Sequence, residues 1–564
     1  MVSIVVKPSC VKGFLRGAAI LALAAGLAAA GGAGCAGAAA RGSGADSLVI
    51  LHTNDIHSQF DPLDSDTNGH LGGAAPRARV VAGQRALGGR VILLDGGDLV
   101  QGTPYYNTFR GEPDHRLLDL LRYDAIALGN HDLDDGPAAW RARAETTRTP
   151  IVSANVFADA ESAWAGFAEP TVPAPARRGA RWVGGARVAE GTALRYLAAP
   201  YIVLERGGLR IAVFGLMTSD LTRIVLPSRN HGVAVGSPIA AAQELVPRLR
   251  READVVIALT HLGVADDRKL VERVPGIDVV IGGHSHTPLF EPVYGRRPAS
   301  APTPIAQAGS RGAYVGRTTL LWETPGRARC RGRLIAVRPE EGGDPTIDAF
   351  LDRYRRDLSR ELDQVVYRSA RRVTSHGLRL GESPLGNFVA DVIRTRTGAD
   401  IGVMNAGGMR ASLPRGDVTV GDVMRILPFE NRIVIATMRG TQVRVLLDRA
   451  SRRIGKGGFA HFSGVRYVVR GDRAAEIVVG GTPGAGGAPL DANRLYRVAT
   501  IDFVAEGGDG LMAFKDPLRF EETGIRLDKA ANEYLRDHPG YRFEKDGRVA
   551  WRGATKALRG TMRR

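Results

Sequence analysis

The sequence predicts an α/β domain followed by an α+β domain, and three observations carry this prediction. Six short apolar runs in the first half of the chain end in Gly or polar residues, which is typical of buried strands. Segments with helical spacing, such as Arg77–Arg85 and Arg116–Leu121, lie between these runs, and this alternation favours an α/β sheet layer. A charged segment with helical spacing then runs from Pro345 to about Val366, and we interpret it as an exposed helix that bridges two domains.

The chain has 564 residues, which is enough for two or three domains. We expect, in order, an export signal, an α/β domain, the bridging helix, an α+β domain and a disordered basic tail, at residues 1–40, 46–340, 345–366, 367–550 and 553–564. Residues 158–198 are rich in Ala, Gly, Arg and Pro, so we expect an irregular insertion there. The glycine clusters of Gly471–Ala488 predict a loop or hairpin.

The first forty residues have the pattern of an export signal, because three basic residues precede the apolar stretch Ala18–Ala30 and small residues follow it. Ala38-Ala39-Ala40 would suit cleavage, while Gly32-Ala33-Gly34-Cys35 resembles a lipoprotein box with Gly32 in place of the usual Leu. We therefore expect a protein of the periplasm or cell envelope, either free or tethered through a lipidated Cys35. An uncleaved membrane anchor is disfavoured, since the apolar stretch is short.

Composition narrows the class of protein. Hydrophobic residues make up 44% of the chain and charged residues 24%, which is ordinary for a soluble globular protein. The formal net charge of +17 favours phosphate substrates or an anionic surface. No block of Lys and Arg is interleaved with aromatics, so nucleic-acid binding is not expected. Cys330 would be the only thiol in the folded body, which excludes an intrachain disulfide framework there.

The six apolar runs lead into side chains that bind metals. The segments that follow them are Thr53–His57, Asp95–Asp98, Gly129–Asp132, Ser153–Asn155, Thr260-His261 and Gly282–His286. Because α/β sheets bind ligands at the carboxyl ends of their strands, we expect these side chains to converge. Two Asp, one Asn and four His would be costly to bury without a cation, and the mixture suits a pair of Mn, Zn, Fe or similar ions. The sequence therefore predicts a two-metal hydrolase site.

Two local spacings refine this prediction. Asp55 and His57 are two positions apart, which would point both side chains to one side at a strand end. Asp134 follows His131 by three positions, and a carboxylate near an imidazole raises its pKa and orients it. The His131–Asp134 pair would form a cationic group able to meet the charge of a reacting phosphate.

These motifs resemble those of the calcineurin-like metallophosphoesterases, in the version of the 5′-nucleotidase family, which includes periplasmic UDP-sugar hydrolases. The resemblance continues in order through the second half, at Glu382–Asn387, Asn405–Arg410, Leu427–Asn431 and Asp502–Gly510. It implies an N-terminal αββα sandwich joined by the bridging helix to a C-terminal nucleotide-binding α+β domain.

The resemblance also implies roles for individual residues. One metal would be held by Asp55, His57 and His286, the other by Asn130, His261 and His284, with Asp98 as the bridge. His131 and Asp134 match the catalytic pair. The residues that match substrate-binding positions are Arg379, Asn405 and Arg410 for phosphate or ribose, Phe429 and Phe503 around the base, and Asp509 for the ribose.

The implied function is removal of the 5′-phosphate from nucleotides by an exported enzyme with two divalent ions, in which a metal-activated hydroxide attacks phosphorus. A substrate bound by one domain must reach metals on the other, so we expect domain closure with the bridging helix as the hinge region. A nucleotide is the expected small-molecule partner, and no obligate protein partner is expected.

Four alternatives stay open. A 2′,3′-cyclic nucleotide phosphodiesterase or a UDP-sugar hydrolase would use the same scaffold, whereas a sulfur-oxidation thiosulfohydrolase would have no use for the two phenylalanines. A catalytically dead nucleotide-binding surface lipoprotein would not need His131 and Asp134. His461-Phe462 departs from the family's pattern in a loop that could line the pocket, which leaves the base and sugar preference open. Six histidines without motif context are expected to be structural or surface residues: His52, His70, His115, His231, His376 and His538.

Overall fold

A computed structural model describes residues 46–65, 69–164, 179–295, 302–324, 327–480, 486–511, 514 and 517–552. The expected export signal, Cys35 and the basic tail lie outside these residues. Within the described ranges, no helix is both long and apolar enough to cross a membrane.

The first domain contains two six-stranded sheets in its described part. The strands of the first sheet, in spatial order, are Arg327–Ala336, Tyr314–Thr324, Asp46–Thr53, Arg90–Asp95, Ala125–Ala127 and Ile151–Val152. Those of the second sheet are Tyr201–Arg206, Leu209–Met217, Val255–His261, Val279–Gly282, Pro304–Ala306 and Val293–Tyr294. A short hairpin of Pro62–Ser65 and Gly69–Gly72 adds a separate ribbon.

The two sheets pack face to face with helices outside. Strand alternation directs Leu48 and Ile50 into the core between the sheets, while Val49 and Leu51 face helices on the outer side. The helices of this domain are Ala74–Ala86, Pro104–Phe109, Glu112–Leu121, Gly136–Ala144, Leu221–Ile224, Pro238–Glu252 and Val264–Arg273. This arrangement confirms the expected αββα sandwich.

The expected irregular insertion is only partly irregular. A four-stranded sheet forms there from Arg181–Trp182, Val233–Val235, Val156–Asp159 and Leu194–Tyr196. Phe157 and Leu194 are buried in its own small core, which explains why these alternating residues pair as strands despite the surrounding Gly and Pro. Residues 165–178 lie outside the described ranges.

The bridging helix spans Pro345–Leu362, and the Asp344 side chain caps it by accepting the Thr346 and Ile347 N–H groups. The sequence predicted an exposed helix, but one face of this helix is buried. Leu351 and Leu358 are buried against the core that also holds helix Ala74–Ala86, because apolar residues recur at helical spacing along this side. The helix is therefore an amphipathic part of the first domain's surface.

The second domain is α+β, as predicted. A mixed five-stranded sheet holds, in order, Ala460–Ser463, Ile401–Asn405, Leu495–Ile501, Arg432–Arg439 and Arg519–Arg526. A four-stranded sheet holds Ala488–Pro489, Arg473–Val479, Val465–Arg470 and Val549–Arg552, and a ribbon pairs Val365–Ser369 with Gly416–Thr419. The helices are Pro384–Thr397, Val420–Ile426, Gly440–Ser451, Asp502–Ala505 and Leu527–Asp537. The segment Gly471–Ala488, predicted to be a loop or hairpin, begins with a turn at Gly471, whose φ is +65°, and continues into strand Arg473–Val479. Its residues 481–485 lie outside the described ranges.

Candidate active site

The site lies where the carboxyl ends of parallel strands from both sheets of the first domain meet. Strand Asp46–Thr53 runs parallel to Arg90–Asp95, and the loops that follow them pair through main-chain hydrogen bonds. The Asp55 N–H donates to Gly97 at 2.8 Å, and the His57 N–H donates to Asp98 at 3.1 Å. In the second sheet, Val255–His261 runs parallel to Val279–Gly282 and presents its ligands from the opposite side.

The sequence predicted that Asp55 and His57 lie at the end of a strand, and this prediction of their backbone position is wrong. The strand ends at Thr53, and the two residues lie in the following loop with φ values of +51° and +54°. Asp98, His284 and His286 also have positive φ. Left-handed backbone at non-glycine residues is strained and concentrates at functional sites, where the surrounding structure holds it in place.

Glycines allow the ligand-bearing loops to approach one another. A Cβ at Gly129 would lie 2.1 Å from the Asp98 nitrogen, and a Cβ at Gly97 would lie 2.8 Å from Nδ1 of His261. Gly97 also has a φ of +90°. The glycines beside Asp98 and Asn130 are therefore required for these loops, and the candidate ligands on them, to meet.

One group that could hold a metal ion, called here a ligand group, contains Asp55, His57 and His286, whose potential donor atoms lie within 4.8 Å of one another. Nε2 of His57 is 3.1 Å from Nε2 of His286, and the latter nitrogen is 3.3 Å from Oδ1 of Asp55. Two imidazole nitrogens that face each other beside a carboxylate fit a shared cation, because a neutral imidazole can direct the lone pair of its unprotonated nitrogen at a metal.

A second ligand group contains Asp98, His261 and His284, with Asn130 between the two rings. Nε2 of His261 is 3.1 Å from Oδ2 of Asp98 and 3.2 Å from Oδ1 of Asn130. The Asn130 oxygen is also 3.1 Å from Nδ1 of His284. Nδ1 of His261 lies 2.7 Å from the Gly96 carbonyl, a contact that fixes the ring and directs Nε2 toward the site.

The electrostatics of these groups also fit cations. Burial alone would raise the pKa of Asp98, but the charges of His261 and His131 hold it well below its usual range. Burial lowers the pKa of His284 to about 4, which leaves its ring in the neutral form that binds metals. Burial would lower the pKa of His261, yet the Asp98 carboxylate raises it to about 10. The site thus favours positive charge beside Asp98.

His131 and Asp134 lie against this cluster. Nδ1 of His131 is 2.6 Å from Oδ2 of Asp134, and the 3₁₀ turn Asn130–Leu133 sets their spacing. Burial lowers the pKa of His131, but the carboxylates of Asp134 and Asp98 outweigh it, so the net shift is upward. Gln101, which the sequence reasoning missed, donates to the same Asp134 oxygen at 3.3 Å. Its one signal in the sequence is a Gln-Gly pair just after the Asp98 loop.

His131 is also close enough to be considered as a ligand. Its ring, His57 and Asp98 form a third group with donor atoms within 4.8 Å of one another. Nε2 of His131 is 3.9 Å from Oδ2 of Asp98, farther than the 3.1 Å between His261 and the same oxygen. The distances therefore favour His131 as a neighbour of the cluster.

A cleft of about 1540 Å³ joins this cluster to the second domain. The residues predicted to bind substrate all line it: Arg379, Asn405, Arg410, Phe429, Phe503 and Asp509. Nδ2 of Asn405 donates to Asp509 at 2.7 Å, and Nη2 of Arg410 lies 3.4 Å from Nε2 of His57. The structure thus brings Arg410 of the second domain to the ligands of the first.

Phe429 and Phe503 are half-buried on the second domain's side of the cleft. The Phe429 ring stacks on His131, with ring centroids 5.8 Å apart and planes 26° apart. The Arg410 guanidinium lies 5.7 Å from the centre of the same ring. Phe429 therefore connects the two domains directly at the site.

Several residues that line the cleft had no signal in the sequence. Arg311 donates to the Arg410 carbonyl at 2.9 Å, and burial, with Arg410 and Arg425 nearby, lowers its pKa to about 10. Arg229 donates to the Asp134 carbonyl at 3.1 Å. Both contacts depend on side chains that are far apart in sequence, so no motif identifies them.

Other predicted features lie away from the cluster. Asn155 is buried and hydrogen bonds the Met217 backbone, so the fourth apolar run does not deliver a side chain to the cluster. His461 lies in a buried strand, 3.0 Å from the Leu378 carbonyl, and does not line the cleft, although Gly455 and Gly457 do. His376, assigned no role, is exposed at the rim of the cleft.

Two family descriptions match the chain. "Calcineurin-like phosphoesterase" matches residues 48–288, and "5′-nucleotidase, C-terminal domain" matches residues 363–516. The first match contains the proposed metal ligands and the His131–Asp134 pair, and the second contains the proposed substrate-binding residues.

Individual relatives match over most of this chain. A 5′-nucleotidase of Vibrio cholerae is 28% identical over 557 residues, which is 90% of this chain and 93% of the relative. The trifunctional nucleotide phosphoesterase YfkN of Bacillus subtilis is 30% identical over 514 residues, but the chain spans only 33% of that protein's length. The crystal structure of a 5′-nucleotidase precursor from Thermus thermophilus is 29% identical with a TM-score of 0.78, covering 90% of this chain and 100% of that one.

Proposed function

We propose that this chain, which belongs to the 5′-nucleotidase family of calcineurin-like phosphoesterases, removes the 5′-phosphate from nucleotides. The chain is a metal-dependent phosphoester hydrolase that uses two divalent metal ions. The observation that carries the proposal is the cleft itself, in which Phe429 and Asp509 of one domain face Asp98 and His131 of the other.

The ligand groups support an assignment of the metals. Asp55, His57 and His286 would hold one ion, Asn130, His261 and His284 the other, and Asp98 would contact both. When bound, the ions supply Lewis acidity to the phosphate oxygens and lower the pKa of a bound water. The donor set suits Mn, Zn or a similar ion.

The protein's own groups would then orient and stabilise the phosphate. His131, held by Asp134, presents its Nε2 toward the cluster and would donate to a phosphate oxygen as charge develops. The guanidinium groups of Arg379 and Arg410 line the same cleft and would bind further oxygens, since their planar fork matches phosphate geometry.

The nucleoside would bind to the second domain. Phe429 and Phe503 would stack on the two faces of the base, and Asp509, held by Asn405 at 2.7 Å, would accept hydrogen bonds from ribose hydroxyls. Burial raises the pKa of Asp509, although the hydrogen bond from Asn405 and the charge of Arg379 act in the opposite direction. A buried carboxyl group of this kind gains from any hydrogen-bond donor that a substrate supplies. The reacting phosphate would thereby be placed against the metal ligands.

The base clamp predicts a selective effect on affinity. Phe429→Ala or Phe503→Ala should raise KM for AMP by about tenfold to a hundredfold, because one stacking face is worth roughly 1–3 kcal/mol. Steady-state kinetics with AMP and with a small aryl phosphate check this, since the small substrate cannot fill the clamp. Phe290→Ala, which removes an exposed ring of the first domain, is the control and should change neither. Equal losses on both substrates would make the two rings structural.

Contacts between the domains support a closed state for catalysis. Glu430, beside Phe429, lies 2.6 Å from Arg110 of the first domain and 2.5 Å from Arg526 of its own. Ser228 of the first domain also donates to Glu506 at 2.9 Å. We propose that these contacts hold the clamp over His131, and that the end of the bridging helix is the hinge region.

Breaking the contact between Glu430 and Arg110 is expected to have a small, salt-dependent effect on KM for AMP. Glu430→Gln should raise KM for AMP by up to about fivefold, since a partly exposed ion pair contributes at most about 1 kcal/mol. The effect should shrink as salt is added, because screening already weakens the pair in the parent. Glu521→Gln removes a carboxylate that pairs with Arg519 inside the second domain and is the control. An equal effect in both variants would contradict a role in closure.

A panel of substrates tests the proposal and separates the alternatives. AMP, 2′,3′-cyclic AMP and UDP-glucose should be incubated with the metal-loaded protein and the products separated by chromatography. We expect adenosine and inorganic phosphate from AMP as the fastest reaction. Faster turnover of the cyclic nucleotide or the UDP-sugar would move the function to those substrates, and binding of AMP without turnover would identify a binding protein. The volume of the cleft, about 1540 Å³, leaves room for the larger UDP-sugar.

We propose that the protein acts in the periplasm or cell envelope, either free or tethered through a lipidated Cys35. The pattern of residues 1–40 supports this. Intact-mass measurement of the protein from its host tests it, because lipidation at Cys35 adds the mass of its acyl chains. A mature protein that keeps residues 1–34 would contradict export by this signal.

A further inference from the structure

Asp135 directly follows the proposed catalytic pair in the chain, and three side chains hold it. Its Oδ2 accepts a hydrogen bond from the Tyr106 hydroxyl at 2.6 Å. Nη1 of Arg229 donates to its Oδ1 at 3.3 Å, and Nη1 of Arg110 lies 3.7 Å from its Oδ2. The Asp135 side chain is 17% exposed, whereas both arginines are exposed. Two surface arginines therefore converge on one largely buried carboxylate beside Asp134.

Arg110 links Asp135 to the second domain. The same Nη1 atom of Arg110 lies 2.6 Å from Oε2 of Glu430, which is the neighbour of Phe429 in the chain. Oε1 of the Glu430 carboxylate lies 2.5 Å from Arg526 of the second domain, so the carboxylate is held on both sides. The position of Phe429 therefore determines how far Arg110 is shared between Glu430 and Asp135.

A second link to the second domain runs through Arg229. Its Nη1 also donates to the main-chain carbonyl of Asp134 at 3.1 Å. Ser228, the preceding residue, donates from its hydroxyl to Glu506 at 2.9 Å, and Glu506 follows Phe503 by three positions. The two links are alike, because an acidic residue close in sequence to each clamp phenylalanine contacts a segment of the first domain that also contacts the turn of the proposed catalytic pair.

The local backbone connects Asp135 to the proposed catalytic pair. Asp135 is bonded to Asp134, whose Oδ2 lies 2.6 Å from Nδ1 of His131. The 3₁₀ turn Asn130–Leu133 and the helix Gly136–Ala144 enclose the two aspartates, so a shift of one aspartate moves the other. Small shifts matter for turnover, since misplacing a catalytic group by about 1 Å can cost about a hundredfold in rate.

We propose that Asp135 is a positioning residue that couples an occupied base clamp to the alignment of His131 and Asp134. This role rests on the proposed nucleotidase function and extends it to a residue outside the cleft, since Asp134 lines the cleft and Asp135 does not. A base between Phe429 and Phe503 would hold both phenylalanines, and with them the two links, whereas a small phosphate ester would not. Turnover, and not only affinity, would then depend on the nucleoside.

The kinetics of Asp135→Asn with AMP and with a small aryl phosphate test this role. The amide keeps an oxygen for the Tyr106 hydroxyl but loses the charge that attracts the two arginines. Asp124→Asn is the matched control, because Asp124 is also a largely buried carboxylate paired with an arginine, Arg206. Asp124 precedes strand Ala125–Ala127, at the end of the strand opposite to the site. Metal content and thermal unfolding midpoints are measured on the same samples.

We expect Asp135→Asn to lower kcat for AMP by about tenfold with KM nearly unchanged, because the catalytic pair is misaligned while the clamp stays intact. Its turnover of the aryl phosphate should stay near that of the parent, which also establishes that the variant folds and binds its metals. Asp124→Asn should resemble the parent with both substrates. In a double variant with Glu430→Gln, kcat/KM for AMP should fall by less than the product of the two single losses, since both changes act on Arg110.

Three results would overturn this role for Asp135. An equal loss on both substrates would mean that Asp135 only supports the fold of the turn, and unchanged kcat for AMP would mean that the turn does not need it. Losses that multiply fully in the double variant would exclude coupling through Arg110. A parent protein that hydrolyses AMP no faster than the aryl phosphate would instead overturn the proposed nucleotidase function itself, and the role of Asp135 with it.

Discussion

Replacing Asp98 by Asn is expected to reduce kcat/KM for AMP by more than about a thousandfold, because Lewis acidity of the metals is worth several kcal/mol in the transition state. Asp98 is the carboxylate that the structure places against His261 at 3.1 Å and between the two ligand groups. The neutral amide of the Asn in the variant cannot balance the charge of two cations. Kinetics with AMP measure the loss of activity, and elemental analysis of the purified variant measures the loss of bound metal.

Asp267→Asn is the matched control for this change. Asp267 is also a fully buried aspartate near the site, but it accepts a hydrogen bond from Thr260 and lies outside the three ligand groups. Burial raises its pKa to about 7, so a neutral side chain is already accessible there. We expect this variant to keep most of its activity. An Asp98→Asn enzyme with two bound ions and parental turnover would contradict the bridging role.

Replacing His131 by Ala should lower kcat by about 10²–10³, which is the usual cost of removing one donor that stabilises the transition state. The metal content should stay unchanged, because the seven proposed ligands remain. Asp134→Asn should have a smaller effect in the same direction, since it weakens the 2.6 Å contact that orients the ring and leaves the ring in place. Kinetics and metal analysis of the same samples separate the two quantities.

His376→Ala provides the comparison for His131. It removes an imidazole from the rim of the same cleft, away from the ligand groups, and should leave kcat near that of the parent. A loss of one metal ion per chain in His131→Ala would make His131 a ligand, in keeping with its place in the third ligand group. The role assigned to it in the transition state would then be wrong.

Much of the site could be predicted because its parts are contiguous in the chain. Gly96-Gly97-Asp98 and Gly129-Asn130-His131 each contain a ligand and the glycine that lets neighbouring loops approach it, so each segment carries its own evidence. The apolar runs before them predict parallel strands, and parallel strands deliver their ends to one edge. The clustering of the ligands follows from these local patterns together.

The features that could not be predicted depend on contacts between distant segments. Glu430 meets Arg110 across 320 positions, and nothing in either local sequence indicates the other. The bridging helix looked exposed because its charges are dense, whereas the apolar stripe that contains Leu351 decides where it packs. Asn155 followed an apolar run like the ligands, but its amide is used by the Met217 backbone. A local sequence pattern shows which residue types are present, but it does not show which distant side chain or backbone group each of them contacts.

Titration of the metal-free protein with a divalent ion, with release of inorganic phosphate from AMP measured at each step, tests a two-metal nucleotide hydrolase most directly. Metal-free protein should be inactive, and activity should rise with the second equivalent bound per chain and then level off. Calorimetry or elemental analysis supplies the stoichiometry for the same samples. Full phosphate release from protein that elemental analysis shows to be metal-free would contradict a two-metal mechanism, as would saturation at a single ion per chain.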